Sequence, residues 1–154
     1  MTDVQVPPEV LGFLQEHQTL TLATTSKNGV PRANTFLYVN DGPILSFWAR
    51  PNSVSARNIA EQSGVAFAID EYSQDLREMR GLHGLGECRV ITGEDIARMA
   101  ELFGQKFPQL SRGQTMSVAF FSITPSELVF IDNHDSGQTT VDDEFGAQFN
   151  TRKL

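Results

Sequence analysis

The chain has 154 residues, 40% of them apolar and 20% charged, with a formal net charge of −7. That length supports one domain with a sizeable core, and the composition is unlike that of a disordered chain. Phosphate contacts dominate nucleic-acid affinity and anionic lipid repels an acidic surface, so the charge argues against nucleic-acid and membrane partners.

The N-terminal MTDVQVPPEV has no basic segment followed by an apolar run, and no stretch approaches the roughly 20 apolar residues of a membrane helix. A cytoplasmic, reducing location is expected. Residues 7–17, PPEVLGFLQEH, read as a short helix with proline in its first turn and Val10, Leu11 and Leu14 at helical spacing. Thr19 to Thr25 alternates as a strand. Asn28-Gly29 predicts a hairpin of type I′, which needs positive φ at both central positions. Arg32 to Val39 is a second strand, Asn40-Asp41-Gly42 a second turn, and Ile44 to Ala49 a third strand.

Ser53 is placed to cap a helix running to about Gln62, with Gly64 as its terminator. Val65 to Asp70 is a fourth strand and residues 71–80 a charged loop. Gly81 to Ile91 is a fifth strand, whose glycines predict bends or close backbone approach. Thr92 with Asp95 approximates a capping box for a helix with Ile96, Met99, Ala100 and Phe103 on one face. Val118 to Ile123 and Leu128 to Ile131 read as two late strands around Pro125. The segment from Asn133 is polar, either loose or lying over a partner subunit. Six or seven short antiparallel strands with two or three helices fit a small closed or nearly closed barrel.

The chemistry concentrates where the third strand hands over to the helix, in ARPNSVSARN. With Ser53 as cap, the amides of residues 54–56 lack helical acceptors and face outward at the positive end of the helix dipole. Arg50 precedes them, Ser53 and Ser55 add hydroxyls, and Arg57 lies one turn on. A phosphate suits such a place. An alternative is a capped surface helix in which Arg57 pairs with Glu61, worth about 0.3–0.5 kcal/mol when exposed. Trp48, the single tryptophan, faces either core or pocket. Cys88, the single cysteine, excludes an intrachain disulfide and reads as a small packed residue. No Cys/His cluster has zinc spacing, and His17, His83 and His134 share no motif, so no metal site is expected. His83, in the fifth strand between glycines, reads as structural, with a haem or flavin contact as the alternative.

The stretch NGVPRANTFLYVNDGPILSFWARPNSVSARNIAEQSGVAFAID resembles the pyridoxamine 5′-phosphate oxidase-related flavin-binding split barrels. Their pattern is a G-x-P after the first hairpin, a D-G turn, and a phosphate-binding S-x-K-x-x-N-L run. Here Gly29, Pro31, Asp41-Gly42, Ser53 and Asn58-Ile59 fall in register. RGLHGLGECRVITGEDIARMAELFGQKFP and VAFFSITPSELVFIDN resemble the family's later strands and helix. The resemblance spans roughly residues 8–133.

The resemblance implies a mainly β, antiparallel six- to seven-stranded split β-barrel of Greek-key type with two to three flanking helices. Residues 1–133 would form the single FMN-binding domain and 134–154 a polar tail. It further implies a homodimer with two FMN sites at its interface. The phosphate would sit among Arg50, Ser53, Ser55, Arg57 and Asn58. The ring would lie against Asn34, Thr35 and Phe36, with Trp48 and Ala49 completing the pocket. Two positions depart from the pattern: the family's lysine aligns with Ser55, and a threonine that often ends the third strand aligns with Ala49. Arg50 and Arg57 are the expected replacements for the missing charge. The implied activity is an FMN-dependent oxidoreductase acting on a small-molecule substrate or electron donor. The flavin carries the hydride chemistry, so no catalytic side chain is assigned. The alternative within the same fold is a non-catalytic carrier of flavin, F420 or haem.

Overall fold

A computed structural model describes residues 4–71, 73–110, 117–134 and 151–154. Helix α1 spans Pro8–Glu16, followed by strands β1 (Thr19–Thr25), β2 (Pro31–Asp41) and β3 (Ile44–Ala49). Helix α2 (Val54–Glu61) leads to β4 (Gly64–Glu71) and β5 (Arg80–Val90). Helix α3 (Asp95–Lys106), β6 (Ala119–Asp132) and β7 (Thr151–Lys153) complete the order.

Strands β1 to β3 form an antiparallel meander. Helix α2 carries the chain back across it, so that β4 pairs with the free side of β1. The sheet order is β3-β2-β1-β4-β5-β6-β7, and a β3–β6 pairing closes six strands into an antiparallel barrel. The expected mainly β barrel with three helices is therefore the observed fold, with β7 as an additional strand.

Alternation sets the interior. Leu20, Leu22, Phe47, Phe67, Ile69, Leu82, Ile123 and Leu128 point inward and are all but inaccessible. Helix α1 plugs one end through Val10, Phe13 and Leu14, and the buried Tyr38 hydroxyl donates to the Leu14 carbonyl at 2.6 Å. Helix α3 builds a second cluster of Met99, Phe103 and Phe107 against Val39 and Trp48. Its predicted apolar face is narrower than expected. Ile96 and Ala100 are exposed, because only the Met99–Phe103 line meets the barrel.

Several local expectations are corrected. The first hairpin is not type I′, since only Gly29 has positive φ (+82°) and Asn28 does not. Gly29 N–H donates to Ser26 O and Ser26 N–H to Val30 O, both at 2.9 Å. That is a three-residue loop in which a turn is followed by a left-handed glycine. Gly42, φ +56°, takes the first position of a two-residue loop with Pro43. Helix α2 ends at Gln62 with extended backbone, and Gly64 is the first residue of β4 rather than the terminator. The α3 cap is Glu94, without a side-chain bond, so the Thr92–Asp95 box does not form.

The two late strands are one 14-residue strand, β6. Pro125 does not break it, for two reasons. The register with β5 shifts there, leaving Ser126 as the extra residue of a bulge. On its other side Pro125 falls between the β3 pairing at 119–123 and the β7 pairing at 129–131, where no ladder partner needs its missing N–H. The polar segment's end, Thr151–Lys153, adds to β6 as β7, and Leu154 packs on the core. Residues 135–150 of that segment lie outside the described residues.

Candidate functional site

Strand β2 presents two faces. Arg32, Asn34 and Phe36 lie opposite the inward Thr24, Leu22 and Leu20, and paired residues share a face. Ala33 and Thr35 lie opposite Ala23 and Thr21 and look outward. The first face meets the start of α2. Asn34 Nδ2–H donates to Ser55 Oγ at 3.0 Å, and the Asn58 amide donates to Thr24 Oγ1 at 3.1 Å. Ser53 caps α2 as its sequence position predicts, accepting from Ala56 N–H at 3.1 Å.

These elements enclose a cavity of about 500 Å³. Strand β2 lines it with Asn34, Thr35 and Phe36, and β3 with Trp48 and Ala49. Arg50, Ser53 and Ser55 form the side toward α2. The cavity's size lies inside the roughly 300–1,000 Å³ range of small-molecule sites. Trp48 serves both roles left open for it: half-buried, it packs on the α3 cluster and walls the cavity. The Phe36 ring rests 4.8 Å from that of Phe47.

Two expected residues do not reach the lining. Asn58 is buried and spent on Thr24. Arg57 is exposed on α2. It does not pair with Glu61, which instead accepts from the Lys27 amide at 3.3 Å. The lining also contains Arg32, which sequence reading passed over. Period-two alternation from Asn34 is the signal that would have placed it on the same face.

A second concavity, about 570 Å³, lies on the barrel's outer face. The register builds it in two rows. One runs Thr21, Ala68, His83, Val129, and the other Ala23, Ala66, Leu85, Glu127. Several of its side chains are small, and its Thr21 pairs with Thr35, which lines the first cavity.

Glu16, His17 and Glu71 come within metal-ligating distance of one another. A cation of the chain already sits among them: Arg80 bonds Glu71 at 2.7 Å and Glu16 at 3.1 Å. Partial burial works against the Arg80 charge, and the two carboxylates outweigh it, so its pKa is raised. His17 is engaged at both nitrogens, by Phe13 O at 2.7 Å and Glu71 at 3.0 Å. Cys88 is buried, and burial pushes its thiol up to about 12, which makes it an inert packing residue.

Residues 6–136 match the sequence family described as pyridoxamine 5′-phosphate oxidase. The chain belongs to that family. Among relatives of this pyridoxamine 5′-phosphate oxidase family member is a UPF0306 protein of Klebsiella pneumoniae, 24% identical over 123 residues, 79% of this chain and 81% of the relative. The hypothetical protein Rv2991 of Mycobacterium tuberculosis has a similar structure, with a TM-score of 0.74 at 18% identity, covering 90% of this chain and 92% of that one. So does HutZ, the haem storage protein of Vibrio cholerae, with a TM-score of 0.68 at 21% identity, covering 79% and 91%. At these identities the likeness of structures concerns the fold. No helix among the described residues is long and apolar enough to cross a membrane.

Proposed function

We propose that the chain is an FMN-dependent oxidoreductase whose cofactor occupies the cavity between β2, β3 and the start of α2. The observation that carries this is the lining itself. Aromatic walls, Phe36 and Trp48, share one cavity with Arg32 and Arg50, and neither guanidinium has an ion-pair partner among the described residues. That set fits a planar ring with an anionic tail. A bound flavin would supply hydride transfer, and the protein binds and orients it. Thr35 and the β2 backbone are the groups available to the ring's edge. The substrate would be a small molecule or an electron donor.

The active form in this reading is a homodimer. The outer shelf supports it: small side chains let a second sheet approach closely, and Thr21 of the shelf pairs with Thr35 of the cavity, so a second copy seated there would lie beside the cofactor site. Light scattering at micromolar concentration tests this, and a monomeric mass counts against it.

A second reading, a haem carrier, is favoured by the likeness to HutZ and by the uncharged Ser55 at the family's lysine position. The absorption spectrum of the purified protein, before and after adding FMN, separates the readings. Flavin bands that stay with the protein through desalting support the first. A Soret band supports the second. Retention of neither overturns the FMN assignment and turns the test to F420.

A further inference from the structure

The polar side chains of α2 and its cap already have partners within the protein, although the two serine hydroxyls act there as acceptors and keep their own O–H to donate. Ser53 Oγ is taken by Ala56 N–H, Ser55 Oγ by Asn34, and the Asn58 amide by Thr24. Arg57, the charge expected beside them, is outside the cavity lining. What lines the cavity is one arginine from each wall, Arg32 at the start of β2 and Arg50 just past the end of β3.

The register fixes where Arg32 stands. It lies opposite Thr24, which holds α2 through Asn58, and two residues from Asn34 on the same face. It therefore stands next to Asn34 on that face of β2, opposite the residue that Asn58 of α2 holds. We infer that Arg32 replaces the cation missing at Ser55 and, with Arg50, binds the anionic end group of the cavity's ligand, a phosphate monoester. This rests on the flavin reading and deepens it, since it names the residue that separates a phosphorylated ligand from an unphosphorylated one.

The chemistry suits the assignment. A guanidinium is always charged and offers a planar fork that matches two phosphate oxygens. Arg32 is exposed, so its charge stays hydrated without ligand and carries little desolvation cost. Its backbone belongs to the stretch of β2, residues 31–37, that is paired with β1, which fixes the position from which the side chain reaches.

FMN and riboflavin share a ring and differ by the phosphate, so their affinities isolate the effect. Both are titrated, by quenching of flavin fluorescence, into wild type, Arg32→Ala, Arg32→Lys and Arg57→Ala, with thermal denaturation confirming the fold of each. The expected result is an FMN affinity at least tenfold weaker in Arg32→Ala, with riboflavin within twofold of wild type. Arg32→Lys recovers part of the loss, and Arg57→Ala stays within twofold for both ligands. Unchanged FMN affinity in Arg32→Ala overturns the inference while leaving the flavin reading intact. Loss in Arg57→Ala in place of Arg32→Ala also overturns it. If wild type holds neither flavin, the flavin reading fails, and inorganic phosphate becomes the probe. A phosphate-dependent shift of the Arg32 Nε–H resonance then supports the anion site for another phosphorylated ligand, and no shift overturns it.

Discussion

Asn34 on β2 and Ser55 on α2 are joined across the floor of the cavity by a single hydrogen bond of 3.0 Å. Ser55 is almost fully buried, so its hydroxyl has little access to water as a substitute partner. A double-mutant cycle of Asn34→Ala and Ser55→Ala should give a coupling of about 1 kcal/mol in urea denaturation. Strictly additive losses would mean that the bond does not hold α2 against the sheet.

The glycines of β5 have a steric role. A Cβ on Gly84 would lie 2.7 Å from the Phe67 ring and would also collide with the Glu127 carbonyl. One on Gly86 would lie 2.6 Å from Thr124 O. Neither backbone oxygen can move without disturbing the β5–β6 ladder. Gly84→Ala and Gly86→Ala should each cost about 3 kcal/mol or more. Gly104→Ala, where a Cβ meets nothing, is the control. Equal denaturation midpoints for Gly84→Ala and Gly104→Ala would refute the steric account.

Lys106 predicts a pH dependence. Its ammonium donates to His17 O at 2.6 Å and sits 4.2 Å from the Tyr38 ring centroid, and burial lowers its pKa to about 8. The unfolded chain keeps this proton up to the ordinary lysine range, near 10.4. Between about pH 8 and 10 the unfolded state therefore binds more protons, and stability from this group rises with pH. Tyr38 and Cys88, both raised by burial, act in the opposite sense at alkaline pH. They cancel when wild type is compared with Lys106→Met. Wild type should gain on the variant as pH goes from 8 to 10 in denaturant titrations. A constant difference would show that the folded ammonium is not desolvated.

The outer shelf gives a prediction about assembly. Ala66 sits mid-row between Ala23 and Leu85. Ala66→Arg puts a charge where a second copy is proposed to dock, while the side chain remains free to point into solvent in an isolated barrel. The expected outcome is a folded monomer by light scattering and circular dichroism, with weakened flavin retention. A dimer that survives this change would place the interface elsewhere.

The elements most legible in the sequence were those governed by local rules. Alternation from Thr19 to Ala49 gave three strands, and Ser53 gave the α2 cap. The misreadings arose where tertiary pairing overrode a local signal. Pro125 looks like a strand breaker until β6 is seen to have no partner on one side at that point. Gly29 alone, without Asn28, carries the turn. At the site, the residues around the Asn34–Thr35–Phe36 and Trp48–Arg50 segments converge as expected. Arg57 does not, because Ser55 is the residue turned toward β2, and two positions further along a helix points to the opposite side, where Arg57 is exposed.

The seam between β3 and β6 has a consequence for the order of events in folding. Leu45 pairs with Ile123 across half the chain, whereas β1, β2 and β3 find one another through short loops. Contacts so far apart in sequence form slowly, because a long loop must close before they repay its entropy. All residues that line the cavity between β2, β3 and α2 are synthesised by residue 55, yet β3, which carries Trp48 and Ala49, keeps an open edge until β6 emerges. During synthesis that edge is an exposed, apolar template for another strand. The ribosome-bound chain is thus most prone to mispairing just when the lining of that cavity is otherwise complete.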